Sequence, residues 1–105
     1  MIDGGLEVRV GDLAAAVEVA ERGSGGLAFG PAAVHVDPGT TVAWEWTGAG
    51  GSHNVVAKDG SYESEMQGNE GDTFEQSFDN TGIQLYYCLP HETVGMLGAI
   101  EVVEA

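Results

Sequence analysis

Cys88, His91 and Met96 fall within one short stretch, Tyr86-Tyr87-Cys88-Leu89-Pro90-His91-Glu92-Thr93-Val94-Gly95-Met96-Leu97-Gly98, which holds the only cysteine of the chain and the last of its histidines and methionines. The spacing Cys-x2-His-x4-Met offers a thiolate, an imidazole and a thioether from a single loop. Thiolate and thioether sulfur suit soft and borderline metals, above all copper in its two oxidation states, whereas calcium, magnesium and manganese prefer oxygen. Three donors do not close such a site. His53, which follows the glycine-rich run Thr47-Gly-Ala-Gly-Gly-Ser52, offers a fourth. Two histidines and a cysteine in a trigonal set, with methionine as a weak axial donor, point to a copper site.

Each residue has an ordinary explanation when taken alone. A single cysteine is commonly a small buried hydrophobe and a methionine core filler, and a loop histidine commonly bonds to backbone; it is the combination at these spacings that favours a metal. Zinc also takes cysteine and histidine, but a structural zinc site closes with four such ligands and a thioether substitutes poorly. A cysteine nucleophile activated by His91 or His53 is the other available chemistry. The sequence shows no orienting group or oxyanion element for it, and Met96 would be left without a role, so no enzymatic activity is expected.

The rest of the chain must hold two loops against each other. Thr40-Thr-Val-Ala-Trp-Glu-Trp46 alternates so that Val42, Trp44 and Trp46 share one face and Thr41, Ala43 and Glu45 the other, the half-buried pattern of an antiparallel sheet. Asp37-Pro38-Gly39 ahead of it is a turn in which proline presets φ and glycine accepts a positive one. Runs at 27–29, 32–36, 53–57, 73–78, 83–88 and 98–103 read as further short strands. Residues 6–10 alternate like a strand. Asp12 to Gly23 fits a capped helix, yet Ala15–Ala20 also reads as an edge strand; a strand over 16–21 is preferred, because tertiary context overrides alanine propensity in a β domain. The polar stretch from Lys58 to Asp72 reads as a loop with a short helix around Glu63–Met66. The glycine run before His53 is no phosphate cradle, since no lysine follows and no helix opens there; it suits close approach of backbone to a site.

With 105 residues and 43% hydrophobic content the chain can bury one core. The expected architecture is an all-β, Greek-key β-sandwich of seven to eight strands over residues 16–105, preceded by an N-terminal extension over 1–15. Seventeen acidic residues face three basic ones, Arg9, Arg22 and Lys58, for a formal net charge of −14. That field repels nucleic acid and anionic membrane surfaces alike. Two tryptophans, three tyrosines and three phenylalanines argue against disorder. Adaptation to salt fits better: near 1 M salt the Debye length shrinks to about 3 Å and screens the self-repulsion of such a surface. One cysteine allows no internal disulfide, and neither an apolar run long enough to span a membrane nor a signal peptide at Met1–Gly5 is expected.

The segments Gly51-Ser-His53-Asn54-Val-Val, Tyr86-Tyr-Cys88-Leu-Pro-His91-Glu and Gly95-Met96-x-Gly98 resemble the small blue copper proteins, the cupredoxins. The Cys-x2-His-x4-Met spacing is that of plastocyanins. Asp37-Pro-Gly-Thr-Thr-Val-Ala-Trp-Glu-Trp46 and the acidic balance are most similar to the halocyanins of haloarchaea, and the resemblance spans about residues 15–103. It implies an eight-stranded Greek-key sandwich carrying one type 1 copper and shuttling single electrons between membrane-bound respiratory complexes, outside the cytoplasm at the outer face of the cell membrane. It implies His53, Cys88 and His91 as equatorial ligands and Met96 as the axial one. Asn54 would tie the two ligand loops together and, with a neighbouring amide, hydrogen-bond the thiolate. Tyr87 would face away from the core as a second electron route while Tyr86 points inward. His91 is expected to show an edge to solvent among Leu89, Pro90, Val94 and Leu97, the patch on which redox proteins would dock transiently on a monomer. Gln84, four before the cysteine, replaces a frequent aromatic residue, and Leu97 a frequent lysine. His35 is expected on an exposed strand position and Met66 in a loop, neither as a ligand. A copper carrier, or an electron-entry domain of a larger oxidase or reductase, are the rival functions.

Overall fold

The computed structural model describes residues 6–7, 15–20 and 25–104 of the chain. Those residues form nine strands: β1 (Leu6–Glu7), β2 (Ala15–Val19), β3 (Phe29–Gly30), β4 (Ala33–Val36), β5 (Thr40–Trp46), β6 (Val56–Ala57), β7 (Thr73–Phe78), β8 (Gly82–Tyr87) and β9 (Leu97–Val102). They make two sheets, ordered β1-β4-β9-β8-β6 and β3-β2-β5-β7. The all-β sandwich expected from the sequence is thus the fold, and the chain passes repeatedly from one sheet to the other. Most of the expected extension over 1–15 lies outside the described residues. Leu6–Glu7 pairs in parallel with Val34–His35. The run that could have been a helix is extended over Ala15–Val19, because it is a strand of the four-stranded sheet, paired to β5 from Ala15↔Val42 to Val19↔Trp46.

The period-two pattern of β5 builds the centre of the core. Val42, Trp44 and Trp46 are buried, Thr41 and Ala43 are half-buried and Glu45 is exposed. Trp44 meets Tyr86 edge-on at 5.3 Å between ring centroids, Phe78 at 6.3 Å, Tyr62 at 5.9 Å and Phe74 at 5.7 Å. Each such aromatic pair contributes about 0.5–1.5 kcal/mol beyond its buried area. Val17 and Val19 from β2, and Val34, Val36, Ile100 and Val102 from β4 and β9, complete the core. Among the described residues no helix is long and apolar enough to cross a membrane.

Two expectations are corrected. Glu63–Met66 is not helical. Ser64 N–H donates to the Val55 carbonyl and Val55 N–H donates to Ser64 Oγ, both at 2.8 Å, and Gln67 pairs in both directions with His53 at 2.8 and 2.9 Å. These long-range bonds draw residues 63–67 out beside 53–56 and use the groups a helix would have bonded internally. His35 is not an exposed histidine. It sits on β4 between β1 and β9, is 17% exposed, and places Nδ1 3.0 Å from Glu101 Oε1, its register partner on β9.

The register also fixes where the two ligand-bearing loops meet. β6 and β8 run antiparallel with Val56 opposite Tyr87. His53, just before β6, therefore lies at the same end of the sandwich as Cys88, just after β8, and Met96, just before β9.

Candidate metal centre

The loop from Cys88 to Met96 is a closed, hydrogen-bonded ring. Pro90 opens a six-residue 3-10 turn, Leu89–Val94, where its missing N–H costs nothing. Gly95, at φ 93°, ends the turn in the left-handed region that favours glycine, and its N–H donates to the Glu92 carbonyl at 3.0 Å. Cys88 N–H donates to the Met96 carbonyl at 3.0 Å, Met96 N–H to the His91 carbonyl at 3.2 Å, and His91 N–H to the Cys88 carbonyl at 3.1 Å. The backbones of all three candidate ligands in this loop are thus bonded to one another.

The side chains converge. His53 Nδ1 lies 3.1 Å from His91 Nδ1, and Cys88 Sγ lies 3.7 Å from the first and 3.5 Å from the second. The point equidistant from the three atoms is about 2.0 Å from each, within the range of about 2.0–2.3 Å at which imidazole nitrogen and thiolate sulfur bind a first-row ion. Among the described residues these three form the only group of histidine, cysteine and carboxylate donors close enough to share an ion. Met96, completely buried, lies at the base of the same loop, its backbone bonded to Cys88 and His91. Exposed Met66 stays outside. The donor set fits copper: soft sulfur with two imidazoles and no carboxylate.

His53 and Cys88 are both inaccessible to solvent. Burial pushes the His53 pKa down, the bond to the Ala49 carbonyl opposes it, and the nearby His91 adds to the lowering, a direction that favours the neutral form a metal ligand needs. That bond, from Nε2 to Ala49 O at 2.9 Å, places the ring proton on Nε2 and turns the Nδ1 lone pair to the centre. Trp46 Nε1–H donates to the His53 carbonyl at 3.2 Å and steadies the backbone behind the ring. Burial pushes the Cys88 thiol up, while the N–H groups of Asn54 and His91 pull it down. Asn54, buried, accepts the Leu89 N–H on Oδ1 at 2.9 Å, joining the His53 segment to the Cys88 loop.

Leu89, Val94 and Leu97 are 56%, 63% and 44% exposed. Pro90 is exposed as well, and His91 is half-buried. Tyr86 is buried and Tyr87 half-buried, as strand parity requires. Lys58 Nζ lies 5.0 Å from the Tyr87 ring centroid and 2.9 Å from Glu92 Oε2. The sequence reading missed the supports behind His53: the Ala49 carbonyl, the Trp46 indole and a contact between Gly26 and Gly50. Backbone acceptors carry no residue signature. Only the glycine run announced a close approach, and Gly48, Gly50 and Gly51 do take φ values of 91°, 72° and 88°.

Two sulfur and two imidazole side chains at one end of a two-sheet sandwich define a class of small copper protein. Residues 15–103 match the family described as copper binding proteins, plastocyanin/azurin family, and the chain belongs to it. It is 54% identical over 89 residues to halocyanin of Natronomonas pharaonis, covering 82% of this chain and 55% of that protein. It is 34% identical over 102 residues to the chloroplastic plastocyanin of Pisum sativum, covering 85% of this chain and 60% of that protein. The chain thus spans between half and two thirds of the length of these relatives. A purple cupredoxin from Nitrosopumilus maritimus superimposes with a TM-score of 0.69 at 25% identity, covering 85% of this chain and 99% of that one.

Proposed function

We propose that this protein is a single-electron carrier with one type 1 copper held by His53, Cys88, His91 and Met96. The observation that carries the reading is the triangle of two Nδ1 atoms and one Sγ, whose centre lies about 2.0 Å from each. Bound copper would supply a one-electron couple between its two oxidation states. The chain's own residues provide a fixed cage. Ala49 and Trp46 hold His53 from behind, Asn54 locks the two loops, and the ring of backbone bonds from Cys88 to Met96 limits movement of the other three donors. Burial of His53, Cys88 and Met96 excludes water. A cage that hardly moves when its charge changes keeps the reorganisation of electron transfer small.

The half-buried edge of His91 is the proposed point of electron entry and exit, and Leu89, Pro90, Val94 and Leu97 form the docking rim, suited to the small interfaces of transient redox partners. Tyr87, beside Cys88, is a proposed second route. The partners are redox proteins of a membrane respiratory chain, met by a monomer at the outer face of the cell membrane. The acidic surface fits a saline setting, in which long-range steering is screened and the apolar rim carries recognition. Absorption and electron spin resonance spectra of the copper-loaded protein test the proposal: an intense blue oxidised form is expected, lost in Cys88→Ser, and a colourless wild type would overturn it. Fast reversible voltammetry separates a carrier of electrons from a carrier of copper.

A further inference from the structure

The supports of His53 continue beyond its direct neighbours. Thr47, buried in the loop after β5, donates its N–H to the Val19 carbonyl at 3.0 Å. Its hydroxyl donates to the Ala20 carbonyl in a short bond, and the same oxygen accepts the Ala49 N–H at 3.2 Å. Ala20 is held at φ 71°, in a region that non-glycine residues seldom occupy. Ala49 is therefore bonded through both of its flanking peptide units: its N–H, in the Gly48–Ala49 peptide, donates to Thr47 Oγ1, and its carbonyl, in the Ala49–Gly50 peptide, accepts from His53 Nε2. Behind it the backbones of Gly26 and Gly50 touch. A Cβ built on Gly26 would lie 2.6 Å from Gly50 N and 2.9 Å from the Ala49 carbonyl carbon, and one on Gly50 would lie 2.1 Å from Gly26 O.

We infer that Thr47 is a positioning residue for His53, its hydroxyl holding the backbone of Ala49 so that the Ala49 carbonyl selects the imidazole tautomer whose Nδ1 lone pair faces Cys88 and His91. The inference rests on His53 being a metal ligand, as proposed above. The route is a run of three hydrogen bonds, Ala20 O to Thr47 Oγ1 to Ala49 and on to His53, which ties the end of β2 to the site. Without the hydroxyl, Ala49 N–H loses its partner, and the Ala49 φ and ψ that aim the following Ala49–Gly50 carbonyl are no longer held from that side. That carbonyl then leaves Nε2. The ring proton can move to Nδ1, where it occupies the lone pair a metal requires.

The test compares Thr47→Val, which keeps shape and removes the hydroxyl, with Thr47→Ser, which keeps the hydroxyl. In metal-free protein above the histidine titration range, nitrogen–proton correlation spectra are expected to show a single Nε2–H tautomer of His53 in wild type and Thr47→Ser. Thr47→Val should show a mixture, with solvent exchange of that proton accelerated about tenfold or more. Copper(II) affinity should fall about tenfold in Thr47→Val and be restored in Thr47→Ser, a size typical for groups that orient a ligand. A folded Thr47→Val with a pure Nε2–H tautomer and unchanged affinity overturns the inference, as does a Thr47→Ser that behaves like Thr47→Val. Should Thr47→Val not fold, the same proton in Thr47→Ala decides. A wild type that binds no copper at His53 defeats the functional proposal instead, and the metal-free spectra still settle what Thr47 does.

Discussion

Gly98→Ala places a methyl group where an aromatic ring already lies. A Cβ at residue 98 would be 2.2 Å from Tyr86 Cζ, 2.4 Å from its hydroxyl oxygen and 2.5 Å from Cε1, against the 3.5–4.0 Å or so at which carbon atoms sit comfortably. The ring or the strand must move by more than about 1 Å. Neither can do so freely: Tyr86 is 1% exposed and its ring is wedged edge-on between Phe29 at 4.7 Å and Trp44 at 5.3 Å. Overpacking costs about 1–3 kcal/mol, and two rigid aromatic walls put this case at the upper end. Restricting the unfolded chain returns about 0.4–1 kcal/mol. A net loss of about 2 kcal/mol, and a drop in Tm of about 8–16 °C for a domain this size, is expected. Thermal unfolding of wild type, Gly98→Ala, Tyr86→Leu and the double variant measures it. With the ring removed, Gly98→Ala should cost nothing, giving a coupling of about 2–3 kcal/mol between residues paired across β8 and β9. A Gly98→Ala protein melting within about 2 °C of wild type would refute the packing described here.

Met96→Leu should keep the blue colour and raise the reduction potential, because losing the thioether donor destabilises the oxidised ion more than the reduced one; voltammetry reads the shift, and a lowered potential would contradict the axial role. Leu97→Asp should leave the spectrum unchanged while slowing electron exchange with a redox partner, and equal rates would remove the docking rim from the proposal. Raising salt from dilute buffer to about 1 M should raise Tm, since screening relieves a formal charge of −14; a Tm independent of salt would dismiss adaptation to it.

How far the sequence alone reaches depends on which atoms carry the information. The spacing of Cys88, His91 and Met96 is a statement about side-chain types, so the donor set was legible, and the alternation from Thr40 to Trp46 announced its buried face because a strand has period two. His53 could be joined to them only by its type and its glycine loop. The groups that hold it were out of reach: the Ala49 carbonyl is backbone, and Gly26 meets Gly50 across an interval that no local pattern spans. Glu63–Met66 failed for a related reason. Two glutamates and a methionine lean towards helix, and the bonds of Ser64 to Val55 and of the adjacent Gln67 to His53 overrode that weak preference. His35 was misjudged because alternation tells which sheet face a residue takes and says nothing of the strands on either side of it.

Lys58 is the only lysine in the chain, and its amine lies between the Tyr87 ring and the Glu92 carboxylate. Amine-directed chemistry therefore has one side chain to modify, at one known edge of the ligand-bearing end. Acylating it would remove the charge, release Glu92 and open the face of Tyr87. A tether or fluorophore attached there would report on, or wire to an electrode, the region of Tyr87 while leaving the rim of Leu89, Val94 and Leu97 unmodified.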